Sequence, residues 1–206
     1  MGNRMSPLRH AWPLLLFMLV ACAGSAPNPA PVVSDADVMA QASQAEADGK
    51  RLFDAATHKD DSDLTKITVA LNAVTDYCPG DSYMSVEIDG ARPGQDFIYL
   101  IASTDDSDDL VWGRHYRVTL DKKTRTAVSI APSTHSCMAV SLHPKNLPAG
   151  ATLVSPAITH LLSPAPSEFH VYLSLTTGMP LSVATSYGIW IVEKGKIRLL
   201  EKQPAK

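Results

Sequence analysis

DLTKITVALNAVTDYCPGDSYMSVEID, residues 63–89, changes its hydrophobic period halfway along. In the first half Leu64, Ile67, Leu71 and Val74 are spaced so that all four share one side of a helix. Cys78 falls on that same side, and Pro79-Gly80-Asp81 ends the helix after Tyr77. From Tyr83 the period is two. Met84, Val86 and Ile88 alternate with Ser85, Glu87 and Asp89, the pattern of a strand with one buried face. Helical patterns lie before this stretch and strand patterns after it, which is the α+β arrangement rather than alternating α/β.

Upstream, residues 35–57 read as a first helix. Ser34 and Asp35 are candidate N-caps, and Val38, Ala42, Ala45, Gly49, Leu52 and Ala56 recur at spacings of four and three. Phe53 widens this stripe, and its small middle predicts close approach to another element. Residues 58–62 are a polar break. Downstream, 90–94 is a turn and Phe97–Ala102 a dense apolar strand, expected to be central in its sheet. Leu110–Leu120 reads as one strand, with Arg117 and His115 on one face and Tyr116 and Val118 on the other. A turn at 121–124, a return strand carrying Thr126, Val128 and Ile130, and a strand within Cys137–Leu142 follow. Ala157–Leu162 is expected to form one helical turn. Phe169–Leu175, Pro180–Thr185 and Ile189–Leu200 read as strands of a meander, with a further turn at 193–196. The expected fold is α+β: two N-terminal helices, then an antiparallel β-sheet or meander.

The amino terminus carries the parts of an export signal: Arg4 and Arg9, an apolar core over residues 11–21, and the small residue Ala21. That core is about half the ~20 residues a spanning helix needs. Its end, Leu19-Val20-Ala21-Cys22, resembles the lipobox of bacterial lipoproteins at every position. The resemblance covers residues 1–22 only. It implies cleavage before Cys22, acylation of Cys22, and attachment to a lipid bilayer through that residue. An ordinary cleaved secretory signal is the alternative. Ala23, in place of an aspartate, implies sorting to the periplasmic face of the outer membrane. More than one acyl chain makes such an anchor stable. Residues 22–33 then form a lipidated, Pro/Ala-rich tether, whose residues 23–33 at roughly 3.1 Å each reach about 34 Å. Residues 34–202 are expected to be one domain and 203–206 a tail.

With Cys22 assigned to lipid, Cys78 and Cys137 remain. An envelope compartment permits a disulfide between them, closing a loop worth roughly 4 kcal/mol. Two buried thiols or a reactive cysteine are the alternatives. Without Arg4 and Arg9 the chain has 16 basic groups against 21 acidic ones, from totals of 18 and 21. This balance disfavours nucleic acid as a partner.

No motif for catalysis stands out. The acidic run Asp105, Asp106, Asp108 and Asp109 lacks the glycine and glutamate of a calcium loop and reads as a solvated hairpin tip or candidate interface. Ala184-Thr185-Ser186-Tyr187-Gly188 approaches a nucleophile elbow but has alanine first and a strand after it. The histidines lack metal-binding spacing, so neither a metal nor a cofactor is expected. His160 and His170 flank the Pro-rich loop 163–167 and are placed to approach each other, and Glu168 with His170 is a candidate acid–base pair. Trp112, Tyr116, Trp190, Tyr187 and Tyr172 are large amphipathic residues suited to an interface or to a core; the tryptophans read as core, and Tyr187, beside Gly188, is the candidate interface residue. The expected function is a non-catalytic binding module for an envelope protein or wall component. The alternatives are an immunity or inhibitor lipoprotein against a toxic hydrolase, an envelope hydrolase, and a structural part of an envelope assembly.

Overall fold

The computed structural model describes residues 33–58, 63–90, 92–105, 109–142, 147–148 and 150–204. Helix α1 (Asp35–Thr57) starts where its caps predict. The Ser34 hydroxyl accepts from the Asp37 N–H at 3.1 Å, and Asp35 and Asp37 complement the positive helix end. Helix α2 (Leu64–Ala73) starts on Asp63 but stops short of the expected Tyr77. Val74 and Thr75 are β-branched and poor helix formers, and the Tyr77 hydroxyl caps the free Leu71 carbonyl at 2.8 Å.

Strands β1 (Ser82–Asp89) and β2 (Gln95–Ser103) pair antiparallel. The expected strand Leu110–Leu120 is two strands, β3 (Asp109–Val111) and β4 (Tyr116–Asp121), in different sheets. The break falls at Gly113 and Arg114. A Cβ on Gly113 would lie 2.9 Å from the Met138 nitrogen, and Arg114 adopts φ 58°. β4 joins β2 and β5 (Ala127–Pro132), giving the antiparallel order β1-β2-β4-β5 with β2 inside, while β3 pairs β6 (Ala139–Ser141). Ile98 and Leu100 of β2 join Ala70, Val74, Tyr116, Val118 and Leu120 in an apolar core under α2. Phe97, Tyr99 and Ile101, on the opposite face, join a second core with α1.

The carboxy-terminal part corrects two expectations. Residues 157–162 hold no helical turn: β7 (Ala157–Thr159) is a strand. Phe169–Leu175 is no strand: it lies within α3 (Glu168–Thr177). β7 runs parallel to β8 (Leu181–Ala184), with α3 as the crossover between them. Only β8, β9 (Gly188–Glu193) and β10 (Lys196–Lys202) form the expected meander. The helix signals of α3 are Ser167 before it, Glu168 in its first turn, and Gly178 after it at φ 68°. Every residue from Glu168 to Ser174 is buried, so no polar face marks a helical period. Phe169 meets Tyr99 edge-on at 5.6 Å, while the Ser174 hydroxyl donates to the Val192 carbonyl of β9.

The small stripe of α1 accommodates α3. A Cβ on Gly49 would sit inside the Val171 side chain and 2.7 Å from the Glu168 carbonyl oxygen. Trp190 and Trp112 are buried, as expected, and so are Tyr116 and Tyr172, for which the sequence left core and interface open. Cys78 and Cys137 form a disulfide with Cα atoms 5.7 Å apart. It ties the segment after α2 to the segment before β6. The fold is α+β with mostly antiparallel sheets, but its third helix lies late in the chain. Among the described residues no helix is long and apolar enough to cross a membrane.

Candidate functional site

On β4 the side chains alternate. Tyr116, Val118 and Leu120 face α2, and Arg117 points the other way, toward α1 and the start of α3. There it lines a cavity of about 350 Å³ with Gln44, Asp48, His160, Ser163 and Glu168. Arg117 Nη1 donates to Glu168 Oε1 at 2.7 Å, and its guanidinium lies 4.9 Å from the centre of the Phe97 ring. Glu168 also takes up its own backbone N–H at the positive end of α3. Burial pushes its carboxyl above the usual range, against the opposing pull of Arg117. Asp48 is equally enclosed, accepting from Gln44 Nε2 at 2.9 Å and Arg51 Nη1 at 3.3 Å. Burial also raises the pKa of the neighbouring Tyr99 hydroxyl.

Of the nearby histidines, His160 lines this cavity. The His160 and His170 rings meet at 4.8 Å and 80°. His170 Nδ1 accepts from the Ser167 N–H at 2.9 Å and lies 3.0 Å from the Ser167 hydroxyl, bracing the first turn of α3. The Ser163 hydroxyl donates to the Ala165 carbonyl, so it accepts from His160 Nε2 at 3.0 Å. That assignment leaves His160 Nδ1 as the bare nitrogen, buried and without a hydrogen-bond partner. Burial, with His160 and His115 nearby, lowers the pKa of His170 to about 3. His160 is lowered by burial alone. His115 stacks on Phe169 at 5.5 Å, accepts from the Ala102 N–H, and is held by burial at about 4.

A second cavity, of about 330 Å³, lies against residues 157–162. Its walls include Thr134, Ser136, Met138, Ala157, Thr159 and Leu161, and His160 lines both cavities.

The expected site residues are dispersed. Glu168 and His170 share a helical turn, but Arg117 holds the first and Ser167 the second. Tyr187 is half-buried against Trp190 with Lys202 over its ring. Asp105 is exposed and Asp109 opens β3. No hydrogen bond or ion pair joins either to Tyr187 among the described residues. Cys22, Asp106 and Asp108 lie outside those residues. Among them no group of three or more His, Cys, Asp or Glu side chains is arranged to hold a metal ion.

Sequence reasoning missed Arg117 and Asp48. Their partners come from α3 and from one turn away on α1, and no local pattern marks a charge that is buried. The site offers preformed recognition: the Arg117–Glu168 ion pair, two buried nitrogens without partners (His160 Nδ1 and Arg117 Nε), and two adjoining cavities. Comparison with protein-family models, with curated proteins and with solved structures finds no match to this chain.

Proposed function

We propose that this chain is an outer-membrane-anchored, periplasm-facing lipoprotein whose domain, residues 34–202, is a non-catalytic binding module for an envelope partner. The twin cavities around His160 are its ligand-bearing surface. Leu19-Val20-Ala21-Cys22 supports the anchor, and the Cys78–Cys137 disulfide suits an oxidising compartment. The observation that carries the binding reading is His160, which lines both cavities and whose enclosed Nδ1 has no partner. The fixed partners of Glu168 and His170 favour binding over acid–base chemistry. A histidine held near pKa 3 is a weak proton acceptor at neutral pH.

Two measurements test this. Palmitate labelling should mark the wild-type chain and not Cys22→Ser, and an unlabelled wild type would remove the anchor. The full-length protein, in detergent, should bind a purified wall fragment or an identified envelope protein in a way that His160→Phe weakens about tenfold. Equal binding by that variant would move the ligand surface elsewhere.

A further inference from the structure

The open edge of β7 is the least explained feature beside His160. The Ser182 N–H donates to the Pro156 carbonyl at 3.0 Å, and the His160 N–H to the Ala184 carbonyl at 2.7 Å. Residues 156, 158 and 160 therefore turn their backbone groups toward β8. Strand alternation then turns the N–H and C=O groups of Ala157 and Thr159 outward. β7 is the last strand of its sheet, and these groups have no backbone partner among the described residues. Both residues are exposed, and both line the cavity whose far wall is Thr134, Ser136 and Met138.

We propose that this edge receives an extended polypeptide segment of the envelope partner as an added strand, uncharged where it lies along residues 157–162. The proposal rests on the binding reading above and names the partner's chemistry. An extended peptide supplies donors and acceptors at the spacing that Ala157 and Thr159 present. His160, only 3% exposed and with its Nδ1 unpaired, lines the same cavity. No Lys, Arg, Asp or Glu lines the cavity, so a charged segment would lose its hydration without a counter-charge. Apolar contacts wait at both ends: Val154 is 72% exposed before the strand and Leu161 80% after it.

Edges of this kind are commonly blunted by charge or proline. Here Pro156 faces β8 and leaves the outer edge open. A glycan lacks the alternating amide groups that this edge matches.

The test uses the full-length protein in detergent and a phage-displayed library of short linear peptides, with selected sequences resynthesised and measured by fluorescence anisotropy. Uncharged sequences should emerge, and their binding should slow deuterium exchange at Ala157 and Thr159. Thr159→Pro removes an outward N–H that β8 does not use, so the circular dichroism and melting temperature should hold while affinity falls about tenfold or more. Leu161→Asp, an exposed position, should weaken the same peptides without affecting the fold. Unchanged affinity in both variants, or protection elsewhere, overturns strand addition and leaves the binding reading standing. A wild-type dimer abolished by Thr159→Pro would make the occupant a second copy and overturn the proposal. Competition by a wall disaccharide but by no peptide would overturn it as well. Failure of the protein to bind any probe would remove the binding reading together with the proposal.

Discussion

The two faces of the sheet β1-β2-β4-β5 differ in kind although they share strands. Under α2 the enclosed side chains of Ala70, Val74, Ile98, Leu100, Val118 and Leu120 are hydrocarbon and Tyr116 brings a hydroxyl. Among the described residues the one buried carboxylate on this face, Asp96, is paired with Lys66 of α2 at 2.7 Å and Lys122 at 3.1 Å. On the other side α1 and α3 enclose Asp48, Glu168, His115 and His170 together with aliphatic and aromatic side chains. Buried charge and buried imidazole weaken a fold unless each has partners. The α2 side sets one doubly paired carboxylate beside a hydrocarbon core, whereas the α3 side encloses two carboxylates and two imidazoles and accepts more of that penalty. The difference locates the recognition surface better than any single residue does.

The largest effect should come from the covalent link. Replacing Cys78 and Cys137 together by alanine should lower stability by about 4 kcal/mol, read from urea midpoints. An unchanged midpoint would mean that the α2 side is held by packing alone.

Next come the buried charges. Arg117→Ala strands Glu168 and should remove about 3 kcal/mol, while Arg117→Met with Glu168→Leu should restore most of it. Leu100→Ala, across the sheet, should also lose about 3 kcal/mol, as a cavity with no charge to strand. If the paired replacement were as unstable as Arg117→Ala, the two faces would not differ as described.

Acid should sharpen the contrast. His115 and His170 are held at about 4 and about 3, below the ordinary 6.5. On acidification the unfolded chain takes up protons first, so stability is full above about pH 6.5 and falls toward pH 4. Each ring contributes up to about 1.4 kcal/mol per pH unit. Glu168, raised by burial, acts in the opposite sense as it protonates. His170→Asn should flatten the profile of urea midpoints against pH, and an unaltered slope would assign the acid sensitivity elsewhere. The smallest effect belongs to the open rim. Val128→Thr, on exposed β5, should stay within about 0.5 kcal/mol.

What the sequence disclosed follows the same division. α1 is legible to both ends because its cap, its acidic first turn and its apolar stripe agree. β1 and β2 are legible because one has a single buried face and the other is dense and central. α3 is not, because enclosure on every side erases the amphipathic period and leaves a run that looks like a strand. Its caps, Ser167 and Gly178, carried the missing signal. The approach of His160 to His170 follows from the short Pro-rich loop between them. The Arg117–Glu168 pair spans 51 residues and rests on tertiary packing that no local pattern encodes.

The most direct test compares affinity and stability across the sheet. The ligand identified for the full-length protein is titrated into Leu100→Ala and into Arg117→Met with Glu168→Leu, at a temperature where both stay folded. Leu100→Ala should lose stability and keep wild-type affinity, whereas the paired variant should keep most stability and bind about tenfold more weakly. Wild-type affinity in the paired variant, with lost affinity in Leu100→Ala, would contradict the assignment of recognition to the α3 side.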